Sequence, residues 1–156
     1  MVAFSSTMAA PSAHRGVPHR RLKPPIEPVS FIHPSARPQY PTLPLRLLGL
    51  ADVATNGECF WPGDRAGEAA RALAAQGLFI TGGEVYCRRA VGWAAYLGEW
   101  VTSALQIADA PWAECVARGL ADALRAIERD PAAWGEAWES PQNLRFFFAS
   151  APETPG

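Results

Sequence analysis

Two adjacent glycines, Gly82 and Gly83, constrain what this chain can fold into more than any other feature. They interrupt an apolar run, Leu78-Phe79-Ile80-Thr81, which resumes as Glu84-Val85-Tyr86. Glycine pairs stand where the backbone needs a positive φ or where no side chain can be tolerated. The flanking β-branched and aromatic residues favour extended backbone, so residues 78–81 and 85–88 are expected as two short strands. The glycines between them form either a two-residue hairpin turn or a bulge in one bent strand, and the sequence satisfies both.

The chain changes character near residue 42. Nine of its 15 prolines lie between Pro11 and Pro44, and the three histidines, His14, His19 and His33, lie there too. Proline removes backbone donors and keeps the preceding residue out of a helix. Residues 1–42 are therefore expected to be a disordered, basic, Pro-rich tail. Charge divides at the same place: five basic residues against Glu27 up to Thr42, then nine arginines against 14 carboxylates from Leu43 onward. The first part carries +4 and the second −5. Residues 43–150 have the length of one ordinary domain, and residues 151–156 read as a disordered C-terminus.

A basic tail suits nucleic acid or an acidic surface, but a solvated leader is the simpler reading. The acidic remainder disfavours nucleic-acid binding and suits a basic protein ligand. The cysteines, Cys59, Cys87 and Cys115, are widely spaced, odd in number and set among apolar neighbours. That pattern fits reduced core thiols in a reducing compartment. No apolar run is long enough to span a membrane, and no basic start precedes a hydrophobic region. A cytoplasmic location without membrane contact is the expectation.

Within residues 43–150, the apolar run at 43–50 reads as a short helix or an irregular strand, with Pro44 against a central strand. Residues 52–57 read as a turn and 58–61 as a short extended piece. A helix is expected over 64–76: Asp64 caps it, Glu68 complements its dipole, and Gly77 takes the left-handed terminal position. Its apolar face, Ala66, Ala69, Ala70, Leu73 and Ala74, is nearly all alanine, so it must lie close against its partner. A second helix is expected over 111–129, with a stripe of Trp112, Val116, Leu120, Ala123, Leu124 and Ile127. Opposite charges four apart, Glu114/Arg118 and Arg118/Asp122, face away from the stripe. Asp130-Pro131 stops it. Residues 144–148 read as an apolar, well-covered terminal strand. Residues 91–107 fit a helix by the spacing of Trp93, Tyr96, Leu97, Trp100, Ala104 and Ile107, whereas Gly92 and Gly98 fit strands better; the residues by themselves lean to helix.

Chemistry-bearing constellations are sparse. The histidines are confined to the tail, so a nucleophile–histidine pair would have to recruit it, and no metal-ligand spacing occurs. Gly82-Gly83 is followed by an anionic residue and is no phosphate loop. No catalytic, metal or cofactor site is therefore assigned. Glu84 and Glu99 are the one pair that acid–base chemistry can use, against the plainer reading of two solvated glutamates at strand ends. Trp134 and Trp138, with Glu136 and Glu139 beside them, form an aromatic, acidic patch if exposed and a lid on the core if packed.

The order of these elements resembles a family of bacterial polymorphic-toxin immunity proteins. Their shared pattern is an alanine-rich helix, then G-[IL]-x-[IL]-x-G-G-D-V-Y, a later tryptophan, an amphipathic helix and a final apolar strand. Here residues 64–76 match the first helix and Gly77-Leu78-Phe79-Ile80-Thr81-Gly82-Gly83-Glu84-Val85-Tyr86 the signature. Trp100, residues 112–127 and residues 145–148 match the rest. Glutamate replaces the aspartate at Glu84, and the proline-rich front is foreign to the pattern.

The resemblance implies an α+β fold: a single small domain with two main helices packed on a small, mostly antiparallel sheet. It also moves residues 91–102 from helix to strand. For function it implies a protein that binds and neutralises a cognate toxin without turnover. The expected partner surface comprises Gly82, Gly83, Glu84, Tyr86, Glu99, Trp100, Trp134, Glu136, Trp138 and Glu139, set against a basic toxin cleft. A small acid–base enzyme using the paired glutamates, or a scaffold module docked through its tail, are the alternatives.

Overall fold

The structure, a computed structural model, describes residues 38–54, 56–88, 94–107, 109–129, 131–134 and 141–154. The chain enters through a four-residue helix α1 (Leu45–Leu48) and a two-residue strand β1 (Asp52–Val53). Strand β2 (Cys59–Pro62), helix α2 (Gly63–Ala75), strand β3 (Phe79–Arg88) and strand β4 (Ala94–Val101) follow. A 3-10 turn (Ser103–Gln106) leads to helix α3 (Trp112–Ile127), and two more 3-10 turns (Pro131–Trp134 and Pro141–Asn143) lead to strand β5 (Leu144–Ala151). The strands form one antiparallel sheet in the order β1-β2-β5-β3-β4, so the terminal strand is central. Both long helices lie on one face of the sheet. This is the expected α+β fold.

The doubled glycine does not make a hairpin. Of the two readings left open, one bent strand is the outcome: residues 79–81 and 85–88 belong to the single ten-residue β3, with register shifts between Ile80 and Gly82 and between Val85 and Tyr86. Neither glycine has a positive φ; Gly57 (88°) and Gly77 (74°) do. What the pair supplies is absence of bulk. A Cβ on Gly83 would run into the Trp100 indole and the Phe147 carbonyl oxygen, and one on Gly82 into the Trp100 carbonyl oxygen.

The core lies between the sheet and the helices. Trp61, Phe146, Phe148, Ile80 and Val85 from the strands meet Ala66, Ala69, Ala70 and Leu73 of α2. Each large apolar side chain so buried contributes about 1.5–3 kcal/mol, and the alanine face lets α2 sit close to the sheet. Tyr40 joins this core, donating to the Phe148 carbonyl at 2.9 Å, and Gln39 N–H donates to the Gly57 carbonyl at 2.7 Å. Packed structure thus begins before residue 43, ahead of the expected boundary at 42, because an aromatic ring over Trp61 is worth burying.

Other local expectations shift. Residues 94–101 are strand, as the resemblance implies and against the helical lean of their spacing: Gly98 has Trp134 on its open side, 3.1 Å from where a Cβ would stand. Helix α2 begins one residue before Asp64, without a side-chain cap, and Asp64 lies in the first turn. The face of α3 that packs is Gly119, Ala123 and Ala126, rotated from the expected stripe. The reason is steric, since a Cβ on Gly119 would strike the Ile80 carbonyl oxygen. Trp112 is consequently only half-buried, edge-on to Phe79, with its indole N–H donating to the Gly77 carbonyl at 2.9 Å. Arg118 pairs with Glu114 at 2.7 Å, but Asp122 turns away from it to the 3-10 turn.

Candidate partner-binding face

Antiparallel pairing fixes which side chains share the sheet face opposite the helices. Phe60 pairs with Phe147, Phe147 with Glu84, and Glu84 with Glu99, so these four form one row across four strands. Arg145, Tyr86 and Tyr96 form the next row. Alternation along each strand puts both rows on the face away from α2 and α3. The rings form their own small cluster: Phe60 meets Tyr86 edge-on at 5.3 Å, Phe147 at 5.7 Å, and Tyr86 meets Tyr96 at 5.7 Å.

The two glutamates that sequence alone left as a pair or as separate strand ends are direct cross-strand neighbours. Like charges in that register are destabilising. Glu84 is half-buried and accepts a hydrogen bond from the Tyr86 hydroxyl; Glu99 is exposed. Burial, the hydrogen bond to Glu84 and the nearby charges of Glu84 and Glu58 all push the Tyr86 hydroxyl far above its ordinary value. Three carboxylates, Glu58, Glu84 and Glu99, therefore border an aromatic floor. Toward β1 the face carries an ion pair instead: the Arg145 guanidinium donates to Asp52 at 2.7 Å, both side chains largely buried, and Arg88 approaches Asp52 at 3.8 Å.

Of the expected surface residues, Glu84, Tyr86 and Glu99 come together here. Four others do not. Gly82 and Gly83 are buried in β3, where they make room for Trp100. Trp100 packs on Phe146 and Phe148, and Trp134, 4% exposed, belongs to the same core, with the Arg129 guanidinium 5.2 Å above its ring. Both tryptophans pack in the core, because the glycines opposite them leave indole-sized gaps. Glu136, Trp138 and Glu139 lie outside the described residues. The sequence reading missed Phe60, Phe147, Tyr96 and Glu58. Their period-two placement was visible, but only the register between distant strands shows that they share a face.

A recess of about 530 Å³ lies elsewhere, between the end of β4 and the C-terminal half of α3. Its walls include Trp100, Val101, Ser103, Arg125 and Arg129, and neither Glu84 nor Glu99 lines it. Asp122 fastens this corner, accepting from Thr102 Oγ1 at 2.7 Å, Ser103 N–H at 2.9 Å, Ser103 Oγ at 3.0 Å and from Arg125. Partial burial alone would raise the Asp122 carboxyl, but these hydrogen bonds outweigh it and hold it below its usual range. Among the described residues no group of three metal-ligating side chains is assembled, and no helix is long and apolar enough to cross a membrane.

Comparison with protein-family models, with curated proteins and with solved structures yields no match for this chain.

Proposed function

We propose that this chain is an immunity protein, which binds a co-produced toxin stoichiometrically and blocks it without turnover, acting in the cytoplasm where that toxin is made. The observation that carries the reading is the row Phe60–Phe147–Glu84–Glu99, in which apolar rings border carboxylates held in like-charge register. Carboxylates directly opposite one another repel, and a cationic ligand beside them adds attraction. Phe60 and Tyr86 are already buried, so the half-buried rings of Phe147 and Tyr96 supply the apolar contact beside that charge. A basic toxin cleft has the matching chemistry.

The test is protection. Cells making the toxin domain encoded beside this chain should survive when the chain is co-expressed. A Glu84→Lys/Glu99→Lys variant that keeps its circular dichroism spectrum should lose at least about tenfold in affinity, since reversing two charges exceeds the weight of a truncated rim contact. Equal protection by that variant would remove this face from the reading, and absence of any toxin domain beside the gene would remove the reading itself.

The same register favours a second reading, acid–base catalysis by Glu84 and Glu99. Their spacing suits it, but they lie on a sheet face instead of in the 530 Å³ recess. Turnover of a small compound that vanishes in Glu84→Gln would establish it.

A further inference from the structure

Strand β4 ends the sheet: β3 pairs with one side of it, and among the described residues no strand pairs with the other. Exposed edges are templates for another chain, and proteins commonly guard them with bulges, charge or brevity. The opposite edge, β1, is guarded by being two residues long. In β4 the register shift, where Val85 pairs with Gly98 and Tyr86 with Tyr96, breaks the regular edge at Leu97. Beyond it the ladder is regular for four residues, Gly98, Glu99, Trp100 and Val101. That stretch ends on Val101, a β-branched apolar residue that is 68% exposed. The recess between β4 and α3 opens beside the same residues, lined by Trp100 and Val101 and by Asp122, Arg125, Glu128 and Arg129.

We propose that the segment 98–101 of β4 takes up an extended, basic segment of the protein partner as a sixth, antiparallel strand. This rests on the reading of the chain as a binder of a basic protein, and it names how that partner is held. Main-chain hydrogen bonds to the edge supply affinity, and alternating side chains supply specificity. On the face opposite the helices, an arginine or lysine of the added strand stands beside Glu99, with Glu84 one strand further in, and an apolar residue stands beside Val101. On the helix face, the intervening side chain enters the recess. A second copy of this chain is the wrong occupant. Two-fold pairing of β4 with itself would bring the Glu84 and Glu99 carboxylates of both copies onto one continuous face, where like charges repel.

The test uses the full-length chain and a labelled peptide of roughly eight residues, about one strand long, alternating arginine with threonine and valine. Two N-methylated versions carry methyl groups on alternate amides, one set for each edge of the peptide, and keep every charge. Fluorescence anisotropy should show binding of the parent peptide and a loss of at least about tenfold for one methylated version but not the other, because only one edge pairs. Glu99→Lys should weaken the parent peptide by a similar factor. Equal binding of both methylated peptides, no binding of the parent peptide, or a β4-mediated dimer in sedimentation would each overturn the proposal. Should the peptide fail while the chain still protects cells from its toxin, strand addition falls and the immunity reading stands.

Discussion

Gly83 faces the Trp100 indole across the strand pair, and the core around Phe146 and Phe148 is shaped by that contact. The requirement is volume, not conformation, since neither Gly82 nor Gly83 has a positive φ. Gly83→Ala should destabilise the protein by about 1–3 kcal/mol or more, the range for forcing a methyl group into a packed core. Urea denaturation monitored by tryptophan fluorescence would read it, and a loss under about 0.5 kcal/mol would show that the indole has room to move. Gly98 beneath Trp134 and Gly119 beneath Ile80 repeat the device, so three elements are each seated by a missing side chain. In the sequence these glycines look like breakers of strand or helix. Their use as seats for bulky neighbours shows only when those neighbours are in place.

At the scale of elements, helix α3 and the end of β4 are tied by Asp122, which holds both Thr102 and Ser103 at the start of the 3-10 turn. Thr102 is buried, and its hydroxyl in turn accepts from Ala104 N–H at 3.2 Å. Asp122→Ala leaves the buried Thr102 hydroxyl without its acceptor and should cost about 1–3 kcal/mol. Because the folded carboxyl titrates below its ordinary value near 3.8, its stabilisation is complete above that pH and is lost as pH falls through the folded value. The difference in unfolding free energy between the parent and Asp122→Asn should therefore be constant near neutrality and shrink as pH falls from about 5 toward 2. A difference that stays flat across that range would mean the carboxylate charge is not what ties the corner. The sequence put Asp122 on the solvent side of α3, paired with Arg118; from one helix alone, that was the available partner at a spacing of four.

For the whole molecule, the separation of charge between residues up to 42 and those beyond, and the excess of carboxylates in the latter, were plain from composition. The structure adds a location, placing Glu58, Glu84 and Glu99 around one aromatic cluster on the face away from the helices. If that face meets a basic toxin, association should be steered by long-range attraction. Stopped-flow measurements should show the association rate falling by about tenfold or more between 0.05 and 0.5 M salt, with a weaker effect on dissociation. A rate indifferent to salt would argue that the aromatic floor, and not the carboxylates, makes the encounter.

Period and punctuation were enough to read the alanine face of α2, the left-handed Gly77 that ends it and the apolar strand at the C-terminus, because each is decided by neighbours a few residues away. The α+β class came from the resemblance in the order of elements. Tertiary structure alone decided that β3 is one strand, that α3 packs through Gly119 and that Glu84 stands beside Glu99. Those outcomes turn on contacts between segments far apart in the chain, such as Gly83 with Trp100 and Ile80 with Gly119. Local propensity carries no term for a neighbour that arrives only when the sheet closes.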